Sequence, residues 1–176
     1  MQFVSPGPDA RVRAANVRAT LAAFKLLPQV GRKIAQKYGL GGALRAAEFL
    51  PVQQWLDALK EIQETVGPAK VKQVGRHIVE NADFPPKFTD ATSVLLALDE
   101  IYHLNHQGEV GHYRVKRLPD ATIEIRCETP YPPMFEWGLV DGICHHKSLG
   151  GNFAIDFTEG PPARDLTCIL SVRRLT

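Results

Sequence analysis

No stretch of this sequence approaches the roughly 20 consecutive apolar residues that a membrane-spanning helix needs, so no membrane partner is expected. Cysteine is scarce. Cys127, Cys144 and Cys168 are odd in number, far apart and without any C-x-x-C pair, which excludes a zinc ribbon and a thioredoxin-type motif. Free thiols in a reducing compartment are the reading that remains. Nucleophile-elbow, zincin and P-loop patterns are all missing, so a non-enzymatic role is expected. The opening residues MQFVSPGPDARVRA lack the charged-then-apolar layout of a secretory leader, and a cytoplasmic chain is the expectation. Internal repeats and low-complexity tracts are absent as well.

What is present is the composition of an ordinary folded protein. The 176 residues are 44% hydrophobic and 23% charged, enough to bury a real core. The net charge of +2 hides a polarity. Residues 1–80 carry 12 Lys and Arg against 6 Asp and Glu, whereas residues 81–176 carry 9 against 13. Such asymmetry fits a nucleic-acid face, or halves that attract each other or a second copy.

Residues 1–10, with two prolines and a glycine, predict a flexible arm. Val12, Val17, Leu21, Phe24 and Leu27 recur at helical spacing from Arg11 to Leu27. Pro28 opens a second helix ending near Gly39, and a short helical piece follows through Phe49. Pro51 starts the clearest helix, with a stripe of Val52, Trp55, Leu56, Leu59, Ile62 and Val66 that Gly67 ends. Pro68 begins another, carrying Val71, Val74 and Ile78. A loop around Pro85-Pro86 leads to a helix capped by Thr89 or Asp90 that runs through Tyr102. The period then changes from helical to alternating. His112–Leu118 and Ile123–Thr129 read as a hairpin, Met134 to Lys147 as a helix, and Asn152–Thr158 and Leu166–Leu175 as two more strands. The expected fold is α+β. A helical subdomain (11–105) is followed by a ββαββ unit (106–176) with a four-stranded antiparallel sheet, and together they form one compact domain.

The residues with chemistry cluster at the junction of these halves. His103, His106 and His112 have the spacing H-x2-H-x5-H, and His103 with His106 could share a metal ion on one helical face. As a plain alternative, these histidines end a helix and meet its negative dipole end. Tyr131, Phe135 and Trp137 beside the Pro132-Pro133 turn suit either a ligand pocket or a closed core. Gly138 and Gly142, four apart in a helix, suggest close approach of a neighbour. Arg11, Arg13, Arg18, Lys25, Arg32, Lys33, Lys37 and Arg45 offer an alternative function, DNA-binding regulation through the basic half. A structural or interaction module without ligand is a third.

The phrases WLDALKEIQETVG, VKQVGRHIVE, LDEIYHLNH and PYPPMFEWGLVDG, with the terminal strand around Thr167-Cys168, resemble bacterial domains of the 4-vinyl-reductase type. Those are distantly similar to haem–nitric-oxide-binding sensor domains. The resemblance covers roughly Pro51 to the C-terminus. It implies a domain that binds a small apolar or tetrapyrrole-like molecule at the helix–sheet junction and signals to a protein partner or through a homodimer. His103 then looks like the iron-ligating histidine of the haem-binding relatives, with haem or a metal ion as the cofactor implied. Their Tyr-x-Ser-x-Arg signature is not reproduced: Cys127-Glu128-Thr129-Pro130-Tyr131 stands there, without the arginine that clamps haem propionates. The ligand-binding set expected from this resemblance is His103, Tyr102, Trp55, Tyr131, Phe135, Trp137, Gly138 and Gly142.

Overall fold

A computed structural model describes residues 3–21, 24, 27–40, 49–80, 84–159 and 168–175. The architecture is α+β, with helices gathered in the first half and a four-stranded antiparallel sheet in the second. The chain begins differently from its periodicity. Arg11–Arg13 form a strand, β1, and the helix α1 spans only Ala14–Leu21. β1 is the centre of a three-stranded sheet, between β2 (Phe49–Pro51) and β3 (His106–Gln107). Val12 faces Leu50 on one side and His106 on the other, so the pairing joins three segments distant in sequence. The first half is therefore not purely helical.

The arm expected to hang free is tied down where it is described. The Phe3 amide donates to the Pro130 carbonyl, the Ser5 amide donates to Gln53 Oε1, and Gln53 Nε2 donates back to the Phe3 carbonyl. The short helix expected between Gly42 and Phe49 and the first residues of the strand expected from Leu166 lie outside the described residues.

Helices α2 (Pro28–Lys37), α3 (Val52–Val66) and α4 (Pro68–Glu80) follow the proline and glycine punctuation. The Asp90 cap is a full capping box with Ser93, and it starts α5 (Ala91–Leu96). A break at Ala97 separates α5 from α6 (Leu98–Asn105), where one continuous helix was expected. Strands β4 (His112–Arg117) and β5 (Ile123–Glu128) form the hairpin, with His112 opposite Glu128. Helix α7 (Pro133–Cys144) crosses to β6 (Phe153–Glu159) and β7 (Cys168–Arg174), giving the order β4-β5-β7-β6.

The halves join through α4 and α7. A Cβ on Gly138 would lie 2.0 Å from the Lys72 carbonyl oxygen, and one on Gly75 would lie 2.3 Å from that of Phe135. Backbone thus meets backbone at this crossing, which only glycine permits. One continuous core runs through it, from Trp55 and Leu59 of α3 to Ile125 and Leu170 of the sheet.

Candidate functional site

Helix α6 has two working faces because Leu98, Ile101, Tyr102 and Asn105 recur three or four residues apart. Tyr102 turns inward and is only 6% exposed; its hydroxyl donates to the Val110 carbonyl at 2.7 Å. His106 follows at the helix end and lies over the Tyr102 ring, with centroids 4.0 Å apart. Its Nδ1 is 2.9 Å from the Tyr102 carbonyl, which can only accept, so Nδ1 carries the proton. Nε2 is then the acceptor for the Tyr131 hydroxyl at 2.7 Å. Burial pushes the His106 imidazole down to about 4, against a smaller upward pull from that backbone bond, so the ring is neutral at physiological pH.

A second polar group lies deeper. Glu136 of α7 is fully buried and accepts from the hydroxyls of Tyr113 and Thr129. Desolvation pushes its carboxyl up to about 7, while the two hydroxyl donors hold it down in part. Tyr113 meets Tyr102 edge-on at 5.1 Å, and Tyr131 stacks on Phe135 at 4.7 Å. Tyr102, His106, Tyr113, Tyr131, Thr129 and Glu136 therefore form a connected polar floor inside an apolar core.

Above this floor is a cavity of about 370 Å³. Leu98, Ile101, Tyr102 and His106 form one wall, Leu139 and Ile143 of α7 the opposite one, and Ile78 and Val79 of α4 a third. Phe84 and Phe88, bracketing the Pro85-Pro86 pair, cover it. At one end Asn16 donates to Asn105 across 3.2 Å, and these two, with Lys87 and His106, are polar members of a largely apolar lining. The volume lies within the range of small-molecule pockets, about 300–1,000 Å³.

The structure disperses the predicted residues. Among the described residues that wall the cavity, Tyr102 is the member of the expected ligand set, and His106 joins it. Tyr131 is buried within the floor and Phe135 is buried against it; Trp55, 1% exposed, is in the α3 core. Trp137 lies against Phe157 with the Lys72 ammonium over its ring, and Gly138 and Gly142 make the contact with α4. His103 points the other way, into an outer cleft of about 440 Å³ that it shares with His112. The structure does not bring His103 and His106 together around one point. Sequence reasoning missed Phe84, Phe88, Leu139 and Ile143. The first two have a legible signal, since they bracket a proline pair in the way that makes Tyr131 and Phe135 suit either a ligand pocket or a closed core.

No protein-family model matches the chain, and no curated protein does. Solved structures do. An H-NOX protein from S. oneidensis in the Fe(II)NO ligation state is similar over 92% of this chain and 99% of its own, with a TM-score of 0.62 and 16% identity. A structure from work on haem distortion in the H-NOX family matches over 92% of this chain and 93% of its own, with a TM-score of 0.67 and 15% identity. At such identities the likeness establishes the fold, and the 4-vinyl-reductase resemblance gains no support from it. Among the described residues, no helix is long and apolar enough to cross a membrane.

Proposed function

We propose that this chain is a sensor domain binding a small, predominantly apolar molecule in the cavity between α4, α6, α7 and the Phe84–Phe88 loop. The observation that carries the reading is the cavity itself: an apolar space of about 370 Å³ over a fully hydrogen-bonded polar floor. It lies within a fold whose similar solved structures include an Fe(II)NO-ligated protein. Tyr102 and His106 would contact the ligand directly, and Gly138 and Gly142 would set the α4–α7 separation on which the cavity depends.

The residues present do not fit a haem. His106, the histidine facing the cavity, has one ring nitrogen on the Tyr102 carbonyl and the other on the Tyr131 hydroxyl, leaving no lone pair for iron. His103 is on the outer face of α6. Lys87 is the one cation among the described cavity-wall residues, and a lone ammonium cannot make the bidentate contact that a propionate-clamping arginine makes. A neutral ligand that leaves the floor hydrogen-bonded suits the lining better.

Occupancy would be reported through α6 and the loop above it, to a protein partner or a second copy. Titration with the neutral dye N-phenyl-1-naphthylamine tests the cavity. One saturable site is expected, lost in Ile143→Trp, where the indole fills the space. Alongside it, native mass spectrometry of the purified protein should show excess mass that denaturation releases. A dye signal unchanged in Ile143→Trp would place binding elsewhere and overturn the reading.

A further inference from the structure

We propose that Asp99, His103 and His112 form a binding site for a divalent transition-metal ion of the zinc type, on the face of α6 opposite the cavity. The inference does not depend on the cavity having a ligand. Asp99 and His103 are four residues apart on α6 and therefore share a face. His112, the first residue of β4, reaches them because the chain turns tightly through Gly108 and Gly111. Gly111 has φ +82° and no room for a side chain, since a Cβ would lie 2.1 Å from the Glu128 carbonyl oxygen. One potential ligand atom from each of the three residues lies within 4.8 Å of the other two.

The three donor groups face one another. Asp99 Oδ1 accepts the Tyr113 amide at 2.8 Å, which fixes the carboxylate on the side of the imidazoles. Nδ1 of His103 and Nδ1 of His112 lie 3.5 and 3.9 Å from Asp99 Oδ1, so both rings turn a nitrogen towards the carboxylate. His103 Nδ1 is also 2.9 Å from the Asp99 carbonyl oxygen, a contact that a bound ion would replace. The two imidazoles lie 5.1 Å apart, centroid to centroid, tilted by 32°. Tetrahedral zinc with bonds of about 2.0–2.1 Å needs donor atoms about 3.4 Å apart. Closing the remaining gap requires only rotation of exposed side chains, which are 44% (Asp99), 40% (His103) and 61% (His112) accessible. Two imidazoles and a carboxylate leave a fourth position for water or for Glu109, which lines the same cleft.

The test is calorimetric titration of tag-free protein with Zn²⁺, repeated with Co²⁺ to follow its visible absorption bands. One equivalent should bind with micromolar affinity, and His112→Ala should weaken it at least about tenfold. Asp99→Asn, which keeps an acceptor for the Tyr113 amide, should do the same without disturbing the fold, as circular dichroism would confirm. No saturable binding up to millimolar ion would overturn the proposal. So would binding that survives both substitutions and is lost instead in His145→Ala, because His145 and Asp141 form another histidine–carboxylate pair at 3.4 Å.

Discussion

At the residue scale, the buried Glu136 and the half-buried His106 are two titratable groups pushed in directions that oppose each other in their effect on stability. The carboxyl of Glu136 titrates near 7 in the fold against 4.5 when free, because desolvation penalises its charge. The folded state therefore binds that proton more tightly. This stabilisation is complete below pH 4.5 and is lost as the pH rises through 7, a change of about 3 kcal/mol. His106 titrates near 4 against 6.5, so its contribution is complete above pH 6.5 and is lost as the pH falls through 4, again by about 3 kcal/mol. Between pH 4.5 and 6.5 the two dependences offset each other. Glu136→Gln should remove one slope, so that its stability relative to the wild type grows by about 3 kcal/mol between pH 4.5 and 7. His106→Gln should show the converse, losing ground by a similar amount from pH 4 to 6.5. Urea midpoints measured across pH decide it. Curves parallel to the wild type would mean that neither group is desolvated as described.

At the element scale, the α4–α7 crossing rests on three glycines, and each can be tested by adding one methyl group. In an exposed helix Gly→Ala gains about 1 kcal/mol. Here the sign reverses, because a Cβ on Gly138 or Gly75 meets backbone carbonyls at 2.0 and 2.3 Å, which cannot move without moving a helix. Gly138→Ala and Gly75→Ala should each cost about 2–3 kcal/mol, whereas Gly142→Ala, closest to the Val79 Cβ at 2.9 Å, should cost less. Denaturant unfolding gives the ranking, and a stabilised Gly138→Ala would contradict the packing. This crossing was half legible. The spacing of Gly138 and Gly142 showed in the sequence, while Gly75, inside an amphipathic stripe, carried no such mark. Long periodic elements were legible throughout: α3, α4, α7 and the β4–β5 hairpin lie close to where their patterns place them. The three-residue strands were not. Val12 fits a helical stripe as well as a strand, and only pairing with Leu50 and His106, across about 40 and 90 residues of chain, makes it β. The cavity was hidden for a related reason. Tyr131 and Phe135 suit from the sequence either a pocket wall or a closed core, but the two stack on each other within the core, and a loop supplies the cover instead.

At the scale of the whole molecule, a cavity shared by both halves couples their stabilities. Its walls come from α1, α4, α5 and α6 on one side and from β4 and α7 on the other, and the core continues across the glycine crossing. Neither half can open without exposing the other's apolar face, so unfolding should be a single cooperative transition. Two tryptophans are placed to check this, with Trp55 inside the helical core and Trp137 against Phe157 of the sheet. Trp137→Phe leaves fluorescence that reports the first half, and Trp55→Phe leaves fluorescence that reports the second. In each variant, the tryptophan signal and the overall helical circular dichroism should share one midpoint. A ligand in the cavity adds a sharper criterion. At a hundred times its dissociation constant, the naphthylamine dye should stabilise the folded state by about 2.7 kcal/mol. Because the site is built from both halves, the tryptophan midpoints of both variants must shift together. A shift confined to the Trp55 signal would mean that the helical half binds alone, and the molecule would then be two units in contact rather than one sensor built around a shared space.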